Sequence, residues 1–304
     1  MSKPDIYKTI TDKILAQLAT GVAPWQRPWR SGRHAAGAVS RPRRSCGTPY
    51  SGVNVLMLWI EAEEKGYTSP LWLTFNQARD LGGNVKKGAK STTVVYANTF
   101  EKKTKLESGE DKTEKIPFLR AYCVFNSEQC ENLPARFSDT VAEPTATLVE
   151  RIDYAEAFFA ATGGAVHTGG DRACYATKSD TIRMPKIETF VDSESYYSTL
   201  AHEFVHWTKH ESRLNRNFES KRFGDEAYAI EELVAEIGAA FLCADLGLSS
   251  EPQADHASYI AAWIQAIKND SKAIFTAASH ATKAVDFLHA AQPAVVTDTE
   301  PQLT

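Results

Sequence analysis

Residues 192–207 read DSESYYSTLAHEFVHW, and within them His202, Glu203 and His206 form an HExxH sequence. The apolar spacing predicts an amphipathic helix over residues 193–210 with Asp192 as its N-cap. On a helix, residues four apart lie one turn apart on the same face, so both imidazoles can reach a single Zn²⁺ at about 2.0–2.1 Å. Glu203 directly follows the first histidine and addresses a metal-bound water in place of the metal, as a general base requires. Random placement of the chain's 8 His and 23 Glu among 304 residues gives about 0.02 such matches, so coincidence is a poor explanation.

A catalytic metal site needs a third protein ligand and an open position. Residues 228–241, YAIEELVAEIGAAF, offer Glu232 and Glu236 on one face of a second helix, among Leu233, Ile237 and Phe241. Carboxylates in such apolar company call for a partner, which a metal and its histidines would supply. Glu231 is the fallback ligand and is otherwise expected to be a solvated neighbour. His210, two turns beyond His202, is either a further ligand or a cap near the helix end. Tyr175, His256 and Tyr259 are candidates to donate a hydrogen bond to a tetrahedral oxyanion. The two-helix arrangement resembles the gluzincin class, which includes thermolysin-like enzymes. That resemblance implies Glu232 as the third metal ligand and Glu236 as the acid that orients His202. A metzincin would require a third histidine ten residues after the first, where this chain carries Ser212.

Around this centre, residues 147–290 read as a mostly helical domain. Helices are expected over 148–161, 226–246, 257–267 and 271–288, with short strands at 173–176 and 181–184. Residues 291–304 read as a disordered tail, and 136–146, with little apolar content, as a linker. Residues 1–135 read as a small α+β domain. Its helices are expected at 6–18 and within 52–66, its strands at 71–73, 92–97 and 119–125, and 102–115 is a solvated hairpin or loop. The fold class is therefore α+β in two domains.

The chain carries 34 Lys+Arg against 38 Asp+Glu, a net charge of −4 that by itself argues against a polyanionic partner. The total hides two opposite halves. Residues 1–140 hold 21 basic against 14 acidic side chains, a balance of +7, and residues 141–304 hold 13 against 24, a balance of −11. A DNA mimic would need a large continuous acidic surface, which the basic half opposes. Between Lys13 and Trp59 no acidic residue occurs, while Arg27, Arg30, Arg33, Arg41, Arg43 and Arg44 are interleaved with Trp25, Trp29 and Tyr50. Arginines for phosphate and aromatic rings for base stacking are the recurrent chemistry of single-stranded DNA binding. Lys86, Lys87, Lys90, Lys102, Lys103 and Lys105 extend the positive charge.

Five cysteines without a CxxC pair suit free thiols in a reducing compartment. With neither a signal-peptide pattern nor an 18-residue apolar run, the sequence predicts a cytoplasmic protein without a membrane partner.

Six blocks together carry a wider resemblance. They are PWQRPW (24–29), GTPYSGVNVLMLW (47–59), SPLWLTFNQARDLGGNVKKGAK (69–90), YCVFNSEQCENLP (122–134), AHEFVHWTKHESRLNR (201–216) and EELVAEIGAAFLCADLG (231–247). With them the chain resembles the plasmid-borne ArdC antirestriction proteins, whose N-terminal part is similar to the domain that begins TraC-type conjugative primases. The resemblance implies a single-stranded-DNA-binding domain joined to a zincin-like metallopeptidase domain, acting when plasmid DNA enters a cell by conjugation as a single strand. Two functions are then open. One is a zinc-dependent metallopeptidase, with Mn²⁺ or Co²⁺ as alternative metals, acting on a host protein substrate or a restriction enzyme. The other is a non-enzymatic protein that binds and escorts DNA past restriction, its zincin domain structural or regulatory.

Overall fold

The computed structural model describes residues 5–21, 23–25, 40–105, 111–137, 148–218, 224–248 and 256–293. The chain divides into two compact units, Met1–Pro144 with Ile264–Phe275, and Thr145–Trp263 with Thr276–Thr304. Residues 264–275 thus group with the first unit and interrupt the second in sequence. Within the first unit the Thr11 hydroxyl donates to the Ser271 carbonyl at 2.7 Å, and the Tyr7 and Phe275 rings meet edge to face at 4.7 Å.

In the first unit, α1 (Ile6–Leu18) starts at Asp5, whose carboxylate accepts from the Tyr7 amide at 2.9 Å, and it buries Ile10, Ile14 and Leu18 along one stripe. Strand β1 (Arg43–Arg44) precedes α2 (Val53–Lys65), which buries the run Val55 to Ile60 and ends at Gly66 in the left-handed conformation, φ 71°. Strand β2 (Leu71–Leu73) leads into the short helix α3 (Phe75–Asp80), begun by a Thr74–Gln77 capping box. Strand β3 (Asn84–Val85) is followed by β4 (Thr92–Lys105) and β5 (Asp111–Asn126), and β6 (Cys130–Glu131) pairs with β3. The main sheet has the order β1-β2-β5-β4. Strands β4 and β5 pair continuously from Thr92↔Val124 to Lys105↔Asp111. Of the two alternatives for 102–115, a solvated hairpin or a loop, the described residues take the hairpin and form its outer part. The Asn54 side chain on α2 bonds both the amide and the carbonyl of Val95, at 2.7 and 2.8 Å, so that a helix side chain caps part of this edge strand.

The second unit opens with α4 (Leu148–Ala161) and a three-stranded sheet, β7 (Ala165–Thr168), β8 (Cys174–Ala176) and β9 (Thr181–Met184), in the order β7-β9-β8. Ile182 and Met184 face the core. Helices α5 (Ser193–Trp207), α6 (Gly224–Leu246), α7 (His256–Asn269) and α8 (Ala273–Ala290) follow. Phe204, Leu233, Ile237, Phe241 and Trp263 are among the fully buried side chains. No described helix is long and apolar enough to cross a membrane.

Helices α5 and α6 approach closely because Gly238 lacks a side chain. A Cβ there would stand 2.8 and 2.9 Å from the two methyl groups of Val205, whose branched side chain has little rotamer freedom. Gly238→Ala is therefore expected to lower stability by about 1 kcal/mol, the overpacking cost outweighing the better helix propensity of Ala. Urea unfolding checks this, and Val205→Ala in the same chain restores most of the deficit. A single variant more stable than the parent would show that the two helices separate freely.

Candidate metal centre

Helix α5 begins where Asp192 Oδ1 accepts from the Ser195 amide at 2.8 Å. Its last two turns bury His202, Glu203 and His206. Helix α6 brings Glu231, Glu232 and Glu236 opposite them. His202 Nε2 lies 3.1 Å from His206 Nε2, and the Glu232 carboxylate places Oε2 3.5 Å from the first and Oε1 3.5 Å from the second. Three corners of a tetrahedron with metal bonds of about 2.0–2.1 Å stand about 3.3–3.4 Å apart, so this spacing fits one Zn²⁺-sized cation held by two nitrogens and one oxygen. Among the described residues these three ligand atoms form a group within 4.8 Å of one another.

Each histidine is addressed on its far side. His206 Nδ1 is 2.9 Å from Glu231 Oε1, which fixes the proton on Nδ1 and leaves the Nε2 lone pair facing His202 and Glu232. Glu236 Oε1 stands 3.4 Å from His202 Nδ1, a buried nitrogen without a hydrogen bond in this arrangement. The buried Glu203 carboxylate has no hydrogen-bond or ion-pair partner among the described residues.

Glu231 is the residue the sequence misjudged. Expected as a solvated neighbour, it is buried and takes two hydrogen bonds from Arg216, Nε to Oε2 at 2.8 Å and Nη2 to Oε1 at 2.9 Å. Arg216 reaches it because the chain after α5 folds back through Asn215, at φ 45°, with the Arg216 amide bonded to the Lys209 carbonyl at 3.0 Å. The remaining guanidinium contacts, to the Thr208 hydroxyl and the Val205 carbonyl, tie the pair to the end of α5.

The electrostatics follow from these contacts. Burial pulls the His206 imidazole down, but its bonds to Glu231 and Glu232 outweigh this and raise its pKa to about 9. Burial pushes Glu231 up, yet the hydrogen bonds from Arg216 and His206 bring it down to about 2. Glu232 is likewise held well below the carboxylate range by His202 and His206 against the cost of burial. Glu236 is raised to about 7, chiefly by burial. A proton and a metal ion are alternatives for the same His206 nitrogen.

Burial, and after it the hydrogen bond donated to Asp180 at 2.8 Å, raises the pKa of the Tyr175 hydroxyl to about 12 against the opposing pull of Arg213, which bonds both it and Asp180; the network ties β8 to the turn before β9. The hydroxyl is committed to that network and is not available to an oxyanion. His210 bonds Ser212 across its own turn and joins no ligand group. His256 and Tyr259 sit on α7, with side chains outside the described residues. Of the residues assigned to DNA, Trp25, Tyr50 and Arg41 are buried, at 3%, 7% and 8% exposure. Trp25 and Tyr50 fill the core of a small domain and offer no open ring face for a base. Arg43 and Arg44 are exposed on β1, the latter over the Tyr50 ring at 5.5 Å. Arg27, Trp29, Arg30 and Arg33 lie outside the described residues.

Comparison with known proteins places both halves. Residues 4–125 match the N-terminal domain of anti-restriction factor ArdC, and residues 153–280 match a zincin-like metallopeptidase family. An uncharacterized protein of Sinorhizobium fredii, y4eC, is 36% identical over 95% of this chain and 92% of its own length. The DNA primase TraC of Escherichia coli is 35% identical over 94% of this chain, which corresponds to only 27% of that protein. The metal-free crystal structure of antirestriction protein ArdC from plasmid R388 superposes with a TM-score of 0.78 at 43% identity, covering 94% of this chain and 97% of that one. Its Mn(II)-bound structure gives 0.76 at 42% identity, covering 94% and 98%. With one relative and one solved structure matched along nearly their full length, and with the zincin helices in place, the chain belongs to the ArdC family of antirestriction proteins.

Proposed function

We propose that this chain is an antirestriction protein that binds single-stranded DNA entering by conjugation and carries a zinc-dependent peptidase centre. The observation behind the peptidase half is the set of three donors 3.1–3.5 Å apart on two helices, with the unpaired Glu203 carboxylate beside them. His202, His206 and Glu232 would hold the cation, which would supply Lewis acidity for peptide hydrolysis when bound. Two imidazoles and a carboxylate at tetrahedral spacing suit Zn²⁺, and Mn²⁺ and Co²⁺ compete for such a set. The R388 relative with Mn(II) bound supports a divalent metal here.

The protein's own groups divide the remaining work. Glu203 accepts the proton of the attacking water and delivers it to the leaving amine nitrogen. Glu231, itself gripped by Arg216, holds His206 by Nδ1 so that its other nitrogen stays aimed at the ligand position. Glu236, beside His202 Nδ1, sets the orientation of the other imidazole. The basic balance of residues 1–140 and the arginines of the N-terminal loop supply the attraction for a phosphate backbone.

Glu203→Gln should retain one equivalent of zinc by metal analysis and keep its affinity for DNA, while protection against restriction in a transfer assay disappears. His202→Ala should lose the metal. Protection unchanged in Glu203→Gln would overturn the hydrolytic reading and leave a protein that protects DNA by binding it.

Glu231→Gln should weaken zinc binding by about 10–100-fold in a chelator competition, since it loosens the orientation of His206 and leaves Arg216 buried without its counter-charge. An unchanged metal affinity would limit the Arg216–Glu231 pair to a structural role.

Replacing Arg27, Arg30 and Arg33 together by Ala should weaken binding to a single-stranded oligonucleotide. It should also flatten log K against log salt by about 0.7 for each phosphate that is no longer neutralised. Equal affinity at equal slope would exclude this segment from the DNA-binding surface.

A further inference from the structure

The burial of Trp25 and Tyr50 withdraws two of the three rings expected to stack on bases, and the same unit exposes other aromatic side chains on the β4–β5 hairpin. Tyr96 is 46% exposed and Tyr122 44%. In an antiparallel pair, residues directly opposite each other share a face, and every second residue of a strand returns to it. The pairs Val94↔Tyr122, Tyr96↔Arg120 and Asn98↔Phe118 therefore lie on one face of the hairpin. At its base this face is closed, with Thr92, Val94 and Val124 buried. Further out it carries Tyr122, Tyr96, Arg120 and Phe118 in succession.

These side chains are organised. The Tyr96 and Phe118 rings stand 6.2 Å apart with an interplanar angle of 56°, and the Arg120 guanidinium lies 5.2 Å from the Phe118 centroid. The Asn98 amide donates to the Tyr96 hydroxyl and steadies that ring. The opposite face of the same stretch is built from Thr93, Val95, Ala97, Leu119, Ala121 and Cys123, none of them aromatic. An ordinary solvated strand would carry polar side chains where Tyr96 and Tyr122 stand, so over residues 93–98 and 118–123 the aromatic choice is confined to one face.

We infer that this face is the stacking platform for single-stranded nucleic acid, with Tyr122, Tyr96 and Phe118 receiving successive bases and Arg120 pairing with a phosphate or stacking on a base. The inference rests on the DNA-binding reading above and names the surface that carries it. Charge complementarity selects this occupant. Residues 92–98 and 116–125 include no acid, Arg120 is their one charge, and no described carboxylate neutralises it. Residues 1–140 as a whole carry a balance of +7. A strand of nucleotides is the partner that presents flat π faces and anionic groups in alternation, and stacking on Tyr or Phe tolerates every base.

The test is fluorescence anisotropy of a labelled oligothymidylate with the full chain, as a function of salt. Tyr96→Thr with Tyr122→Thr keeps strand-forming residues in an exposed hairpin and should weaken binding by about 30-fold or more, at an unchanged salt slope. The corresponding Tyr→Phe pair should bind as the parent does. Arg120→Gln should lower the slope by about 0.7. Circular dichroism melting of each variant verifies the fold independently of binding. If the parent binds the oligonucleotide and the double Thr variant binds it equally, the platform is wrong while the DNA reading stands. If the parent binds no single strand, the DNA reading itself has failed. A sedimentation change from dimer to monomer in the double Thr variant would instead assign the face to a second copy of the chain.

Discussion

The metal centre depends on the compensation of buried charge between two helices. Glu231 and Glu232 are adjacent on α6, and both are withdrawn from water against α5. An unpaired carboxylate in such surroundings costs several kcal/mol, so each must be matched. Glu231 is matched by the two-pronged grip of Arg216, which comes from the same chain and is always charged. Among the described residues, Glu232 faces the two imidazoles, which match it either by holding a proton or by sharing a cation with it. The first pairing is permanent and structural, whereas the second is exchangeable, and the exchangeable one is where a metal fits. The close approach at Gly238 makes both possible, because the carboxylates reach the histidines only when the helices nearly touch.

This arrangement gives part of the acidic excess of residues 141–304 a role and leaves the basic residues to another. Glu231, Glu232 and Glu236 face the two histidines, and Asp180 is committed to Arg213 and Tyr175. In the first unit the acids that are described tend to be tied internally. Glu61 pairs with Lys13 at 2.8 Å, and Glu128 accepts from the Thr68 and Ser69 amides at 2.6 and 2.7 Å. Arg43, Arg44 and Arg120 remain exposed. The unit therefore presents cations whose compensation is left to solvent or to a ligand, which is the electrostatic condition for attracting a phosphate backbone.

What the sequence disclosed and what it hid have physical reasons. The HExxH helix, its Asp192 cap and the opposing Glu232 and Glu236 are legible because helical periodicity fixes which side chains share a face. Glu231 is misread by the same rule, since one residue along a helix turns about 100° away and so points, on a helical wheel, at water. Glu231 is drawn inward all the same, because Arg216 and His206 supply its partners there, while Tyr228 one turn earlier is exposed. Arg216 carries no local signal, being brought in by a backbone reversal at Asn215 that side-chain periodicity does not encode. Strand β7 is hidden in four residues between glycines, and α3 in six, although Thr74 and Gln77 spell its capping box. The aromatic residues near the arginines read as a binding surface, but in a small domain the large rings are needed first to fill the core.

The hairpin shows how a liability and a function share one structure. A strand of 14 residues paired along one edge leaves the other edge open to chance association. The Asn54 side chain closes that edge at Val95 by imitating a neighbouring strand, near the point where the hairpin's face changes from buried to exposed. Beyond it, the exposed rings raise the cost of carrying the hairpin in water, since Thr or Lys at the same positions would be better solvated and less adhesive. The buried base of this face ends at Val94 and Val124; beyond it the Tyr96 and Phe118 rings stand 6.2 Å apart and Tyr122 is 44% exposed. Exposed rings that solubility disfavours suit a partner that covers them. On this hairpin the candidate partner must offer flat faces to rings and negative charge to Arg120 at the spacing of a strand.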